Sequence, residues 1–375
     1  MLRALCCAMV LALPGYAGAA DCTWPAWDAF RTELISADGR VIDRSSPRAL
    51  TTSEGQAYGL FFALLANDRE SFAGLLAWTQ NNLAGGDLTR RLPAWQWGAD
   101  SAGDWTVLDA NNASDADLWL AYSLLEAGRL WQRPDYLALG ERVLARSAKQ
   151  TLRRLPGLGW MLLPADHGFE SEQGWRLNPS YLAPQLLTRF AASDARWAEV
   201  ARNARRLLRE GAPLGLAPDW LLWRRERGWA ADPEHGSAGD YDAIRVYLWL
   251  GMLDAAAPGR DELQRHFAPM VELTAQLGAP PENIDAASGK ASGTGPLGFS
   301  AALLPLLAAR EQSQPALQQQ RERLRRQPPA VEAYYDRVLA LFGQGWDERR
   351  YRFDAEGRLR PAWEDVCATR TKKGS

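Results

Sequence analysis

The chain reads SDADLWLAYSLLEAGRLW from residue 114 to residue 131, and PDYLALGERVLARSAKQT follows from 134 to 151. The first segment is apolar and rich in small residues, whereas the second repeats apolar residues every three or four positions. A helix that is apolar on all sides is buried by its neighbours, and a helix with one apolar stripe covers such a neighbour on one face. The two segments therefore predict an inner helix packed against an outer one.

The same pairing recurs along the chain. The apolar helices begin 55 to 64 residues apart, which indicates a structural repeat. Six such hairpins predict an all-α (α/α)6 barrel, with long loops at 84–113, 152–177, 212–239 and 278–296 gathered at one mouth. The predicted helices are 25–36, 52–67, 69–83, 114–131, 134–151, 178–193, 195–211, 240–255, 260–277, 297–310, 312–326 and 331–343.

The composition narrows the chemistry that the chain can perform. Its 375 residues include 43 Lys and Arg against 45 Asp and Glu, so it lacks the basic excess that is typical of nucleic-acid-binding proteins. The three histidines, His167, His235 and His266, lie far apart with no cysteine beside them, which leaves little for a zinc or copper site. We therefore expect no metal, no cofactor, and catalysis that rests on carboxylates.

Residues 1–20, MLRALCCAMVLALPGYAGAA, have the pattern of a secretory signal peptide with cleavage near Ala19 or Ala20. No later segment reaches 18 uninterrupted apolar residues, so we predict no transmembrane segment and a periplasmic or secreted protein. No linker rich in Pro, Gly or Ser follows, which predicts a single catalytic domain over 21–370 and a disordered tail at 371–375.

Two cysteines remain after removal of the signal segment, Cys22 and Cys367. In an oxidising compartment they could form a disulfide bond. The alternative is two unrelated thiols, because separation along the sequence says nothing about the distance between the Cα atoms.

The motif TTSEGQAYG (51–59) places an acid at the start of a predicted helix. Ser53 can cap that helix, with Glu54 in the first turn, where the helix dipole favours an anion. A general acid has to hold a proton, so a catalytic Glu54 requires burial or a neighbouring carboxylate that outweighs the dipole. The alternative is a plain helix cap.

The motif DANNASDAD (109–117) is unusually acidic. Ser114 or Asp115 can cap the next helix, with Asp117 in its first turn. Capping explains one or two of the acids, but not three acids and two asparagines in nine residues. Clustered carboxylates at a concave mouth would raise one another's pKa.

The motif GDYDAIRVY (239–247) pairs an acid with a base. With Asp240 as the cap, Asp242 falls in the first helical turn and Arg245 follows three residues later on the same face. This is either an ordinary ion pair or a carboxylate that Arg245 and a tyrosine hydroxyl keep ionised, ready to take a proton from water.

Thirteen of the 17 tryptophans fall into two groups. Those within predicted helices are expected to pack in the core: Trp78, Trp119, Trp131, Trp197 and Trp249. Those in or beside the mouth loops are expected to be stacking platforms, which suit the flat faces of pyranose rings, with LPAWQWG (92–98) the strongest candidate. The loop group comprises Trp24, Trp95, Trp97, Trp105, Trp160, Trp175, Trp220 and Trp229.

Four ordered blocks of the sequence resemble glycoside hydrolase family 8. ASDADLWLAYSLLEA (113–127), followed by Trp131, is similar to the signature of that family, with Leu120 where the signature favours Ile or Met. SEGQAYG (53–59), NPSY (178–181) and YDAIR (241–245) match further blocks in the same order. Within the family, the chain looks most like the periplasmic endoglucanases encoded with bacterial cellulose synthases.

The resemblance implies an (α/α)6 barrel that hydrolyses the β-1,4 bonds of a glucan such as cellulose with inversion, and it makes the cellulose synthase complex a candidate partner. By motif, Glu54 corresponds to the general acid and Asp242 to the general base. Asp115 corresponds to the signature aspartate, which holds the sugar at the cleavage point and has also been called the nucleophile; we favour the holding role, because inversion has no covalent step. Tyr241 and Arg245 would position the base and its water. The glucose subsites would be lined by Trp95, Trp97, Trp175 and Tyr181.

Two alternatives remain open at this stage. The acid–base machinery does not identify the sugar, so another β-1,4 polymer such as xylan or chitosan is a candidate substrate. A glucan-binding scaffold without activity is the second alternative, and the three intact acidic positions argue against it.

Overall fold

A computed structural model describes residues 23–225 and 227–364. The signal segment at 1–20, the tail at 371–375, and both cysteines of the predicted disulfide, Cys22 and Cys367, lie outside the described residues.

The described part of the chain is mainly helical, and its helices alternate between an inner and an outer layer. The inner layer consists of the second, fourth, sixth, eighth, eleventh and thirteenth helices, which are buried along most of their length. The helices are α1 Pro25–Leu34, α2 Ser53–Leu65, α3 Arg69–Trp78, α4 Ser114–Leu130, α5 Pro134–Thr151, α6 Pro184–Ala191, α7 Ala195–Glu210, α8 Ile244–Gly251, α9 Arg260–His266, α10 Ala268–Leu277, α11 Leu297–Ala308, α12 Gln314–Arg326 and α13 Tyr334–Asp347.

The inner helices form a ring. Each packs on the next in chain order, from α2 to α13, and α13 returns to α2 through side chains. The Phe342 ring lies 4.7 Å from that of Phe62, and a Cβ at Gly55 would lie 2.8 Å from the Tyr334 hydroxyl oxygen. The first helix, α1, packs outside the last, α13, and completes the sixth hairpin. The predicted (α/α)6 barrel is confirmed.

Several predicted helices shift by a few residues at their ends, and three are shorter or divided in the structure. The segment 260–277 is two helices, α9 and α10, because Pro269 at the second position of α10 has no N–H with which to continue the preceding helix. The segment 178–193 is α-helical only from Pro184 to Ala191, after a short 3-10 turn at Pro179–Tyr181, since a proline disfavours α-helical geometry at the residue before it. The segment 240–255 is helical only from Ile244 to Gly251.

The long loops fold into small antiparallel sheets. Strands β1 to β3 form one sheet, β4 and β5 a second, β6 to β9 a third, β10 to β12 a fourth, and β13 and β14 a fifth. Their bounds are β1 Thr51–Thr52, β2 Gln96–Ala99, β3 Trp105–Asp109, β4 Leu152–Leu155, β5 Gly159–Leu162, β6 Glu170–Ser171, β7 Gly174–Leu177, β8 Leu221–Arg224, β9 Gly228–Ala231, β10 Ala238–Gly239, β11 Asn283–Asp285, β12 Ala291–Ser292, β13 Tyr351–Phe353 and β14 Leu359–Pro361.

Aromatic side chains fill the centre of the ring. Phe61, Trp119 and Phe342 contact one another with ring centroids 4.8 to 5.5 Å apart, and Tyr351 and Phe353 from the last hairpin pack against Phe61. Trp78, Trp119, Trp131, Trp197 and Trp249 are at most 6% exposed, which confirms that the tryptophans of the helices belong to the packed interior.

Candidate active site

One acidic residue from each of the three motifs, Glu54, Asp115 and Asp242, lines a single cavity of about 330 Å³. The cavity lies where α2, α4 and α8 begin, and the loop before β2 forms part of its wall. It is lined by Thr52, Ser53, Glu54, Trp95, Ala113, Asp115, Tyr181, Tyr241, Asp242, Arg245 and Tyr335.

Glu54 stands in the first turn of α2, directly after β1. The helix is capped by Thr52, whose side chain accepts a hydrogen bond from the Gly55 N–H at 3.0 Å. The prediction that Ser53 caps the helix is therefore wrong: Ser53 is already helical, and the extended backbone at Thr52 aims the neighbouring hydroxyl at the helix. Pairing of β1 with β2 fixes this turn, and with it the position of Glu54.

Asp115 lies at the start of α4 and is only 4% exposed. Ala113 is the residue before the helix and supplies no side-chain cap, so the predicted caps Ser114 and Asp115 are both within the helix. Burial raises the pKa of Asp115 well above its usual range, the charge of Glu54 adds to this effect, and Arg245 opposes it.

The remaining polar residues of the 109–117 motif do not line this cavity. Asp117 is fully buried and accepts a hydrogen bond from the Asn112 amide at 2.6 Å. The Asn112 carbonyl oxygen in turn accepts from the Asp166 backbone N–H at 2.8 Å. Burial raises the pKa of Asp117 to about 8, although the bond from Asn112 acts in the opposite direction. Asp117 therefore has a structural role: through Asn112 it connects the start of α4 to the loop that contains Asp166.

Asp242 lies in the turn before α8, not in the first turn of the helix. One carboxylate oxygen accepts from Arg245 Nη2 at 2.5 Å, and the other accepts from Asn178 Nδ2 at 3.0 Å. Both oxygens therefore have a donor, and the carboxylate has one fixed orientation.

The turn that carries Asp242 is held by Asp219, a residue that the sequence interpretation missed. One oxygen of Asp219 accepts from the backbone N–H of Asp240 at 2.9 Å and of Ala243 at 2.7 Å. Asp219, rather than the predicted Asp240, therefore caps this turn, because the chain from 217 to 219 packs against it. Burial, together with a hydrogen bond to Asp240, raises the pKa of Asp219 to about 8.

Arg245 joins the three carboxylates. Its buried guanidinium forms ion pairs with Glu54 through Nη1, with Asp242 through Nη2 at 2.5 Å, and with Asp115 at 3.9 Å. Nη2 also donates to Ser180 Oγ at 3.0 Å. One positive charge cannot neutralise three carboxylates, which agrees with the raised pKa of Asp115.

The predicted aromatic residues are divided between the cavity and other places. Trp95, Tyr181 and Tyr241 line the cavity, but the structure does not bring Trp97 or Trp175 to it. Trp175 is 6% exposed because it is buried in β7 opposite Trp223. Trp97 follows a β-bulge between positions 96 and 97, and such a bulge re-aims the side chains that follow it.

Tyr335 is a further cavity residue that the sequence interpretation missed. Its hydroxyl donates to the backbone oxygen of Tyr241 at 2.6 Å and links α13 to the turn that carries Asp242. The sequence feature that could have identified Tyr335 is the pair of tyrosines at 334–335, near the start of the predicted helix 331–343. Asn178 and Ser180, which bind Asp242 and Arg245, lay within a recognised motif but carried no predicted role.

The described residues contain neither a membrane-spanning helix nor a cluster of metal ligands. No helix within 23–225 and 227–364 is long and apolar enough to cross a membrane. Over the same ranges, no group of three or more His, Cys, Asp and Glu side chains could hold a metal ion.

Comparison with known proteins gives consistent matches over nearly the whole chain. The model of the family "Glycosyl hydrolases family 8" matches residues 1–349. The endoglucanase of Xanthomonas axonopodis pv. citri (strain 306) is 50% identical over 377 residues, 99% of this chain and 96% of the relative. The endoglucanase of Escherichia coli (strain K12) is 48% identical over 359 residues, 96% of each chain.

Solved structures show the same similarity. The crystal structure of endo-1,4-D-glucanase from Vibrio fischeri ES114 is 42% identical with a TM-score of 0.88, covering 91% of this chain and 100% of that one. A cold-adapted family 8 xylanase is 15% identical with a TM-score of 0.66, covering 86% of this chain and 90% of that one, so it shows the fold alone.

Proposed function

Because the chain belongs to glycosyl hydrolase family 8 and is an endo-β-1,4-glucanase, we propose that it hydrolyses cellulose-type glucan with inversion, using Glu54 as general acid and Asp242 as general base. The observation that supports these roles is the single guanidinium of Arg245 between the two carboxylates. Glu54 accepts from Nη1 of Arg245 and Asp242 from Nη2, so one side chain orients both carboxylates.

Inversion requires a particular separation between the two carboxyl groups. An inverting hydrolase separates its two carboxyl groups by roughly 6.5 to 9.5 Å so that a water molecule fits beside the base, whereas a retaining one brings them to about 5 Å. With the glucan across the cavity, Glu54 protonates the leaving glycosidic oxygen while Asp242 removes a proton from the attacking water.

The environment of each group fits its role. Asp242 receives donors on both oxygens, which orients it toward one face of the sugar. Glu54 shares the Arg245 guanidinium with Asp242 and Asp115, so three carboxylates lie around one positive charge in the cavity.

Asp115 holds the sugar at the cleavage point. It is buried, its pKa is raised, and it therefore offers either a hydrogen-bond donor or an acceptor to a sugar hydroxyl. Trp95, Tyr181 and Tyr241 supply aromatic walls on which glucose rings stack.

The biological setting is part of the same proposal. We place residues 21–370 as one catalytic domain that follows a cleaved signal peptide and acts in the periplasm or outside the cell. There it would trim glucan made by a cellulose synthase complex and so support cellulose biosynthesis. The signal-like composition of residues 1–20 supports the location.

Proton NMR of the first-formed product tests the mechanism. Inversion releases the α-anomer first from a β-1,4 bond, and a β-anomer as the first product would overturn the assignment of Asp242 as a base. Reducing-sugar release from carboxymethylcellulose, xylan and chitosan tests the substrate, with cellulose-type glucan expected to be fastest. No release from any of the three would favour a binding scaffold.

A further inference from the structure

Trp105 in β3 is a large apolar side chain that remains 54% exposed. Single exposed apolar residues are common on protein surfaces, and exposure alone does not indicate a site. A second observation distinguishes Trp105 from ordinary surface residues, because its ring is held rigidly in place.

The support consists of a second tryptophan and a buried arginine. The Trp97 ring stacks on that of Trp105 with 5.2 Å between centroids and 22° between planes. The Arg40 guanidinium lies 4.4 Å from the centre of Trp97 and 4.7 Å from the centre of Trp105. Arg40 is only 9% exposed, so it packs on the inner side of the two indoles.

Both supporting residues are themselves anchored. Arg40 donates from Nε to Thr51 Oγ1 at 2.7 Å, and Trp78 packs edge-on against Trp97 with 5.3 Å between ring centroids. The exposed indole face is therefore preorganised, which lowers the entropy cost of binding a flat ligand on it.

Trp97 and Trp105 lie on the hairpin that follows Trp95, a residue of the cavity wall. In the register of the sheet, Trp97 pairs with Thr51 on one side and Val107 on the other, while Trp105 pairs with Ala99 farther along the hairpin. Trp95, which lines the cavity, lies two residues before Trp97. Moving outward along β2 thus leads from the cavity to the two stacked indoles.

We propose that Trp105 and Trp97 form an outer platform that binds a stretch of the β-1,4-glucan chain beyond the catalytic cavity. The inference rests on the proposed glucan substrate and adds a second contact site for it. The ligand is an uncharged pyranose chain, because its apolar ring faces match flat indoles that already lie parallel to each other.

The test compares substrates of increasing length. We expect Trp105→Ala to lower the ratio of kcat/KM for swollen cellulose to that for cellotriose about tenfold, the order of one lost aromatic stacking contact. Trp105→Phe should recover most of this ratio, since it keeps an aromatic face.

Leu277→Ala is the matched control, because Leu277 is 56% exposed at the end of outer helix α10. It should leave the ratio unchanged. An equal loss on all chain lengths in Trp105→Ala, or no loss on any, would overturn the platform. A changed sedimentation coefficient in Trp105→Ala would show that this face binds a second copy instead.

Binding measurements separate this inference from the proposed function. Calorimetry with cellohexaose compares Glu54→Gln with the double variant Glu54→Gln/Trp105→Ala, and the double variant should bind about tenfold more weakly. If the wild type hydrolyses no glucan, the proposed function fails, but this binding comparison still decides whether the platform exists. Equal affinities in the two variants would rule the platform out.

Discussion

Helix α4 carries a buried acid near each end, and the two differ in how their charge is balanced. At its start, Asp115 shares the single guanidinium of Arg245 with Glu54 and Asp242. Toward its other end, the fully buried Glu126 has two guanidinium groups to itself, with Arg189 Nε at 2.7 Å and Arg129 Nη2 at 2.7 Å.

Glu126 also accepts from the Leu359 backbone N–H at 3.0 Å, which fastens the β13–β14 hairpin onto the barrel. The negative charge of Glu126 is thus balanced by two guanidinium groups, whereas the three acids of the cavity share only one. A buried charge that only supports the fold is stable when its hydrogen bonds are complete. An excess of negative charge is tolerated where a proton has to be taken up and released.

The largest effect should come from removing the proposed general acid, Glu54. Glu54→Gln is expected to lower kcat on soluble cellulose by about a hundred- to ten-thousandfold, the range of general acid catalysis. Cello-oligosaccharide binding should persist, and the unfolding temperature should stay the same or rise, because one of three repelling carboxylates becomes neutral. Activity equal to that of the wild type would remove Glu54 from the mechanism.

The opposite response is expected at the other end of α4. Glu126→Ala leaves the half-buried Arg129 and Arg189 without their carboxylate partner and should lower the free energy of unfolding by about 3 kcal/mol, the lower end of the range for a broken buried ion pair. The kcat of the folded fraction should change little. Urea denaturation monitored by fluorescence, with activity measured on the same samples, checks both points, and Glu126→Gln serves as the smaller step. A strong loss of kcat with unchanged stability would contradict the contrast between the two ends.

Substitution of Asp219 should disturb the position of the turn that carries Asp242 and leave substrate binding nearly unchanged. Asp219→Ala frees the backbone N–H groups of Asp240 and Ala243, so we expect kcat to fall about ten- to a hundredfold with little change in KM. Asp219→Asn keeps an acceptor oxygen and should stay close to the wild type. Steady-state kinetics of the two variants decide the matter, and equal losses in both would argue for a role of the charge instead.

The smallest effect concerns pH and Asp117. Its folded pKa of about 8 exceeds the usual value of 3.8, so its contribution to stability is complete below about pH 4 and is lost as the pH rises through 8. Asp117→Asn should flatten the fall in unfolding free energy between about pH 4 and 8 by up to roughly 1.4 kcal/mol per pH unit. Urea titrations at several pH values measure this slope, and parallel curves for the two proteins would contradict the buried protonated acid.

Much of the fold could be predicted because helix formation depends on local periodicity. The alternation of apolar and amphipathic segments gave the (α/α)6 barrel, and errors occurred where tertiary contacts compete with local preference. The turn at 240–243 is the clearest example: Asp240 has good capping chemistry, but Asp219 from another loop takes the two N–H groups. Residues at 178–183 similarly form a turn that serves Asp242 and Arg245.

The sequence alone determined the layer architecture and which acids deserve attention, because both depend on spacing along one chain. Only the tertiary structure decided that Arg245 joins all three carboxylates, that Asp117 is structural, and that Trp97 and Trp175 lie away from the cavity. Burial, charge balance and the aim of a side chain after a bulge depend on groups distant in sequence. Contacts of this kind produce no periodic pattern in the amino-acid sequence.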